Sequence, residues 1–143
     1  MKLLKLFLLV LATATTSAYA ACPDVPEGFV QGYPQSGTEQ SMSSEELLWV
    51  HYKTDPELMP VGELFVMDII VCLGNEPWLG TVDVDASMPA HGHGMNYKPE
   101  VRSEQAGHFF AQGFLFQMSG RWRFEFNFNS ETTSQYVYSF VDI

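Results

Sequence analysis

Positive charge is what this chain has least of. Only seven of its 143 residues are Lys or Arg, against 17 Asp or Glu, for a formal net charge of −10. Affinity for nucleic acid comes largely from Lys and Arg neutralising phosphates, so this balance argues against a nucleic-acid partner. It also disfavours adhesion to anionic lipid. Cysteine is almost absent, with Cys22 and Cys72 as the two examples. Beyond residue 20, charges and glycines interrupt every apolar run, so no later segment is expected to span a bilayer as a helix. Familiar catalytic signatures are missing too. There is no Gly-x-Ser-x-Gly elbow, no His-Glu-x-x-His, no cysteine beside a plausible base and no phosphate-cradling glycine loop. The expectation is a protein that is not an enzyme and takes no nucleotide.

What is present is apolar and aromatic. Hydrophobic residues make up 46%, aromatics 14% and charged residues only 17%, which excludes global disorder. The length suits one domain with a short extra segment.

The first twenty residues read as a secretory signal peptide. Lys2 and Lys5 form a positive start, Leu6 to Ala12 an apolar stretch, and Ala18-Tyr19-Ala20 a small-residue cleavage site. Cleavage would leave five basic residues against the same 17 acidic ones, a net charge of −12, on an exported, periplasmic chain. Two fates are open to Cys22. An oxidising compartment favours a Cys22–Cys72 disulfide, contributing about 4 kcal/mol by loop entropy. Alternatively, Tyr19-Ala20-Ala21-Cys22 partly matches a lipoprotein processing site, which would acylate Cys22 and leave Cys72 a free buried thiol; Tyr19 stands where such sites carry an aliphatic residue.

Residues 21–44, rich in Pro, Gly, Ser and Gln, predict an irregular N-terminal segment closing over the domain. Strand signals recur through residues 45–143. The segments are 45–53, a strongly apolar 63–73, an alternating 80–86, a short piece around 99–102, then 108–116, 121–128 and 136–141. In 121–128, Trp122, Phe124, Phe126 and Phe128 alternate with Arg121, Arg123, Glu125 and Asn127. Such period-two alternation means one buried face and one wet face. About seven strands and no amphipathic helix predict an all-β, immunoglobulin-like antiparallel sandwich. The aromatic stripe is expected in its core. Asp83 and Asp85 are expected on a solvated strand face, and His51 and His108 in structural or surface roles.

One segment carries candidate chemistry: Met88-Pro89-Ala90-His91-Gly92-His93-Gly94-Met95. Its Gly and Pro content predicts a loop between strands. On an extended loop His91 and His93 would share a face, and Gly92 and Gly94 allow the backbone to fold so that several side chains converge. Met88 and Met95 flank them, and Met118 could add a sulfur if its strand end lies nearby. Imidazole with thioether is a soft, neutral ligand set that suits copper, whereas zinc sites usually prefer Cys, His and carboxylate. Imidazole ligands must be deprotonated, so affinity should fall on acidification. The competing interpretation is a rigid turn without metal, on a domain that offers an edge or loop end to a periplasmic or membrane partner.

The same run, with Gly107-His108-Phe109, Gly113-Phe114-Leu115-Phe116 and Met118-Ser119-Gly120-Arg121-Trp122 downstream and Pro60-Val61-Gly62-Glu63-Leu64-Phe65 upstream, resembles YtkA-like domains, exported bacterial β-sandwiches related to FixH. The resemblance spans roughly residues 45–130. It implies the fold and carries metal-ligand roles to Met88, His91, His93 and Met118; Met95 is added from spacing alone. It also implies an association with copper handling or oxidase assembly. This chain has Gln117 where many members carry His before the downstream Met.

Overall fold

The structure is a computed structural model, and it describes residues 21–34 and 48–143. The first twenty residues, on which the signal-peptide expectation falls, residues 35–44 of the irregular segment and the start of the first predicted strand lie outside the described residues.

Two antiparallel sheets face each other. Their strands, in chain order, are β1 (Val30–Gln31), β2 (Tyr33–Pro34), β3 (Leu48–Asp55), β4 (Leu64–Leu73), β5 (Glu76–Pro77) and β6 (Thr81–Met88), then β7 (His93–Gly94), β8 (Glu100–Gln105), β9 (His108–Leu115), β10 (Arg121–Asn129) and β11 (Ser134–Asp142). One sheet runs β1-β3-β4-β9-β8, with β5 also on β4, and the other runs β2-β11-β10-β6-β7. The seven long strands give the predicted count. Numbered along the chain, the first, second, fifth and fourth form one layer, and the seventh, sixth and third form the other. That is the four-plus-three layout of a constant-type immunoglobulin domain. The short strands were not predicted, because two paired residues are too few to show a period. β1 and β2 fall where the N-terminal arm crosses from one sheet to the other, β5 where the chain turns back on β4, and β7 where the His-bearing loop folds back.

Alternation places the core. On β10, Trp122, Phe124, Phe126 and Phe128 are fully buried, and β4 contributes Phe65, Met67, Ile69 and Val71 from the facing sheet. Phe124 sits at the centre, with its ring centroid 5.7 Å from Phe114, 5.7 Å from Phe116 and 5.4 Å from Tyr52. Edge-to-face and offset pairs of this kind add to area burial. Tyr52 Oη and Ser139 Oγ meet at 2.7 Å across the core, joining β3 to β11.

Cys22 and Cys72 form a disulfide, with Cα atoms 6.0 Å apart. Cys72 lies on the outer face of β4, out of phase with inward-facing Val71. The bond therefore ties the N-terminal arm to the outside of the sheet, and the Cys22 amide adds a hydrogen bond to the Asn75 carbonyl at 3.2 Å.

Candidate metal-binding end

One end of the sandwich is built by the β3–β4 connection (56–63), the segment 89–99 and the β9–β10 turn (116–120). Gly62 N–H donates to the Phe116 carbonyl at 2.8 Å, and Gly120 and Ile143 exchange backbone hydrogen bonds at 2.9 and 3.1 Å. These bonds hold the turns beside one another.

The loop is a tight hairpin, folded at one of the glycines that the sequence offered as hinges. His91 N–H and Gly92 N–H both donate to the Met88 carbonyl at 3.0 Å, and Met88 then pairs with His93. Gly92 adopts φ +66°, the left-handed conformation that closes such a turn and that glycine adopts without steric cost. Residues opposite each other in an antiparallel pair share a face, so His93 stands on the same side as Met88, toward the inner face of the sheet. Its ring meets Trp122 edge-on at 5.9 Å, and Trp122 stacks on Phe116 at 4.4 Å. An aromatic row therefore supports His93 from below. In the Nδ1–H tautomer, His93 donates to the Gly94 carbonyl at 3.3 Å, which leaves Nε2 as a free acceptor.

His91 and His93 are both exposed, and their ring centroids lie 5.9 Å apart. The methionines are distributed differently. Met88 is 1% exposed and belongs to the core; a Cβ on Gly120 would sit only 2.7 Å from its methyl carbon. Gly120, at φ +136°, provides the room for that side chain. Met95 is half-buried and packs against the core. Met118 is 40% exposed in the neighbouring turn, and its carbonyl accepts the Trp122 Nε1–H at 3.0 Å. The structure thus presents His91, His93 and Met118 at the surface of this end and keeps Met88 beneath it. Among the described residues, no three His, Cys, Asp or Glu side chains gather as a metal cluster.

Sequence reasoning missed the polar groups beside the loop. Arg123 donates to Glu125 from Nε at 3.0 Å and Nη2 at 2.7 Å, and Ser87 Oγ also bonds Glu125 Oε1. The hydrogen bond to Glu125 holds the Arg123 guanidinium above its ordinary value. Burial, followed by the charge of Glu125, raises the Tyr136 hydroxyl. Glu125 is engaged by these partners and lines the same small cavity as His93. Cross-strand placement of Ser87 against Arg123 creates the cluster, and no local sequence signal encodes that register. Gln117 carries a buried Nε2 with no hydrogen-bond partner among the described residues, directly before Met118. Elsewhere, His108 Nε2 lies 3.3 Å from Asp68 Oδ1, and Asp83 pairs with Lys98 at 3.0 Å on the outer surface.

No protein-family model, curated protein or solved structure matches the chain.

Proposed function

We propose that this chain is an exported metal-binding protein, a periplasmic carrier or buffer whose ion is copper, and that it holds the ion at the loop end of the sandwich. His91 and His93 are the primary ligands and Met118 is the available thioether. The separation of the two rings carries the reading. Two imidazoles bound to one ion through bonds of about 2.0 Å place each centroid about 3.2 Å from it, so their centroids stand about 5.2 to 6.4 Å apart for bond angles from tetrahedral to linear. The observed 5.9 Å lies inside that window. Both rings are exposed, so ring rotation is enough to aim a nitrogen from each at a common point. The loop sequence and its resemblance to YtkA-like domains support the same reading, and the soft thioether favours copper.

X-ray absorption of the protein loaded anaerobically with Cu(I) tests the ligand set. The expected first shell contains two imidazole nitrogens and one sulfur. A shell of oxygen alone refutes the assignment.

A second reading has its own support. Leu64 and Tyr97 are 66% and 63% exposed at this same end, as expected of a docking surface for a periplasmic or membrane partner. In that case the loop is only a rigid turn, and partner binding survives replacement of both loop histidines.

A further inference from the structure

The site just described is incomplete within one chain. Two exposed imidazoles supply half of the four equatorial nitrogen or oxygen donors that a Cu²⁺ ion takes in a tetragonal field. No further His, Cys, Asp or Glu joins them among the described residues, and Met88 is sealed in the core. Met118 offers a thioether, which suits Cu(I) far better than Cu²⁺.

The same end of the sandwich carries exposed apolar side chains suited to meeting another protein. Val61, Leu64, Tyr97 and Met118 are exposed on the turns that build this end, with Leu64 and Tyr97 lining a cleft of about 610 Å3. Val61 bridges to Phe116, and Leu64 pairs with Leu115, so the apolar band is continuous with the turn that carries Met118.

Charge singles out the same end. Every basic residue after Lys5 lies there. Lys98 is in the connecting segment, and Lys53, Arg102, Arg121 and Arg123 fall within three residues of the strand ends on that side. By the same criterion the acidic residues at this end are Glu27, Asp55, Glu57, Glu63, Asp85, Glu100 and Asp142, seven against five. The other ten acidic residues have no basic residue after Lys5 among them, so this end is the least negative part of the chain and like-charge repulsion between two copies is weakest there.

We infer that a second copy of this chain completes the site: His91 and His93 from each of two copies hold one Cu²⁺ ion on a two-fold axis, and the apolar bands close around it. A two-fold axis brings the same patch against itself, so each band covers its counterpart and each imidazole pair supplies what the other lacks. The inference rests on the metal-binding reading of His91 and His93 and adds the partner and the stoichiometry.

Light scattering during titration of the purified protein with Cu²⁺ tests this, with bound metal measured on the same samples. The expected result is a monomer without metal, a doubled mass with one ion for every two chains, and four-nitrogen hyperfine structure in the electron paramagnetic resonance spectrum. Leu64→Asp, on an exposed side chain, should weaken metal-induced dimerisation by about tenfold or more while leaving the fold intact. One ion per chain on a protein that stays monomeric overturns the dimer and leaves the metal-binding reading standing. A dimer that forms equally without metal also overturns it. Equal Cu²⁺ uptake by the wild type and the His91→Ala, His93→Ala double variant overturns both.

Discussion

Replacing Met88 separates its place in the core from a role as a ligand. The side chain is essentially inaccessible, and its methyl carbon fills the space left by Gly120. Its carbonyl accepts both hydrogen bonds that close the hairpin, and Gly120 is tied to Ile143 from the other side. Neither wall can collapse easily into a void. Buried Met-to-Ala changes cost about 2 to 5 kcal/mol, rising with the cavity that remains, and the fixed walls place Met88→Ala in the upper half, about 3 to 4 kcal/mol. Met88→Leu keeps apolar volume and should cost less than about 1.5 kcal/mol. Urea unfolding monitored by Trp fluorescence gives both values. Anaerobic Cu(I) competition on Met88→Leu should match the wild type. A loss of affinity of about tenfold or more without loss of stability would refute the core assignment and return Met88 to the ligand set.

Further predictions follow from single contacts. Gly120→Ala places a methyl group against Met88 at a positive φ and should destabilise by about 1 to 3 kcal/mol, read from the same unfolding curves. Gln117→Met removes a buried amide nitrogen that lacks a partner and should stabilise by about 1 kcal/mol. Cys72→Ser opens the 50-residue separation closed by the disulfide and should cost up to about 4 kcal/mol by chain entropy; an unchanged midpoint would show that the arm is held by other contacts. Burial lowers the His51 imidazole below its ordinary 6.5. The unfolded chain therefore takes up this proton first as pH falls, so the His51 contribution leaves stability intact above 6.5 and erodes it below, down to the folded value. His51→Gln should flatten that part of a stability–pH profile, and an identical profile would contradict the sign.

The sandwich was legible in the sequence because alternation is a local signal. In Trp122 to Phe128, each inward ring follows an outward polar residue, and the structure buries those four rings. Strand limits moved by one to three residues where pairing continued past the apolar pattern, as at Asp55, Gln105 and Asn129. The Cys22–Cys72 bond was one of two open possibilities, and the fold places the arm within reach of β4. The loop was legible in composition and as a glycine-hinged turn, but not in register: Gly92 turns the chain so that Met88 pairs with His93, which only the strand pairing fixes. Met88 and Met118 look equivalent as letters. Their opposite burial follows from β6 continuing inward to Met88 while Met118 caps an exposed turn, a distinction set by strand register. The Ser87–Arg123–Glu125 cluster spans two strands distant in sequence and left no trace in the local pattern.

The central claim is that the two loop imidazoles gather an ion. Anaerobic titration of the purified protein with Cu(I) against a chromophoric chelator tests it most directly, comparing the wild type with the His91→Ala, His93→Ala double variant. The account predicts one tightly held Cu(I) per chain in the wild type and its loss in the variant, at unchanged thermal stability because both side chains are exposed. Equal affinities in the two proteins, or no uptake in either, would contradict it.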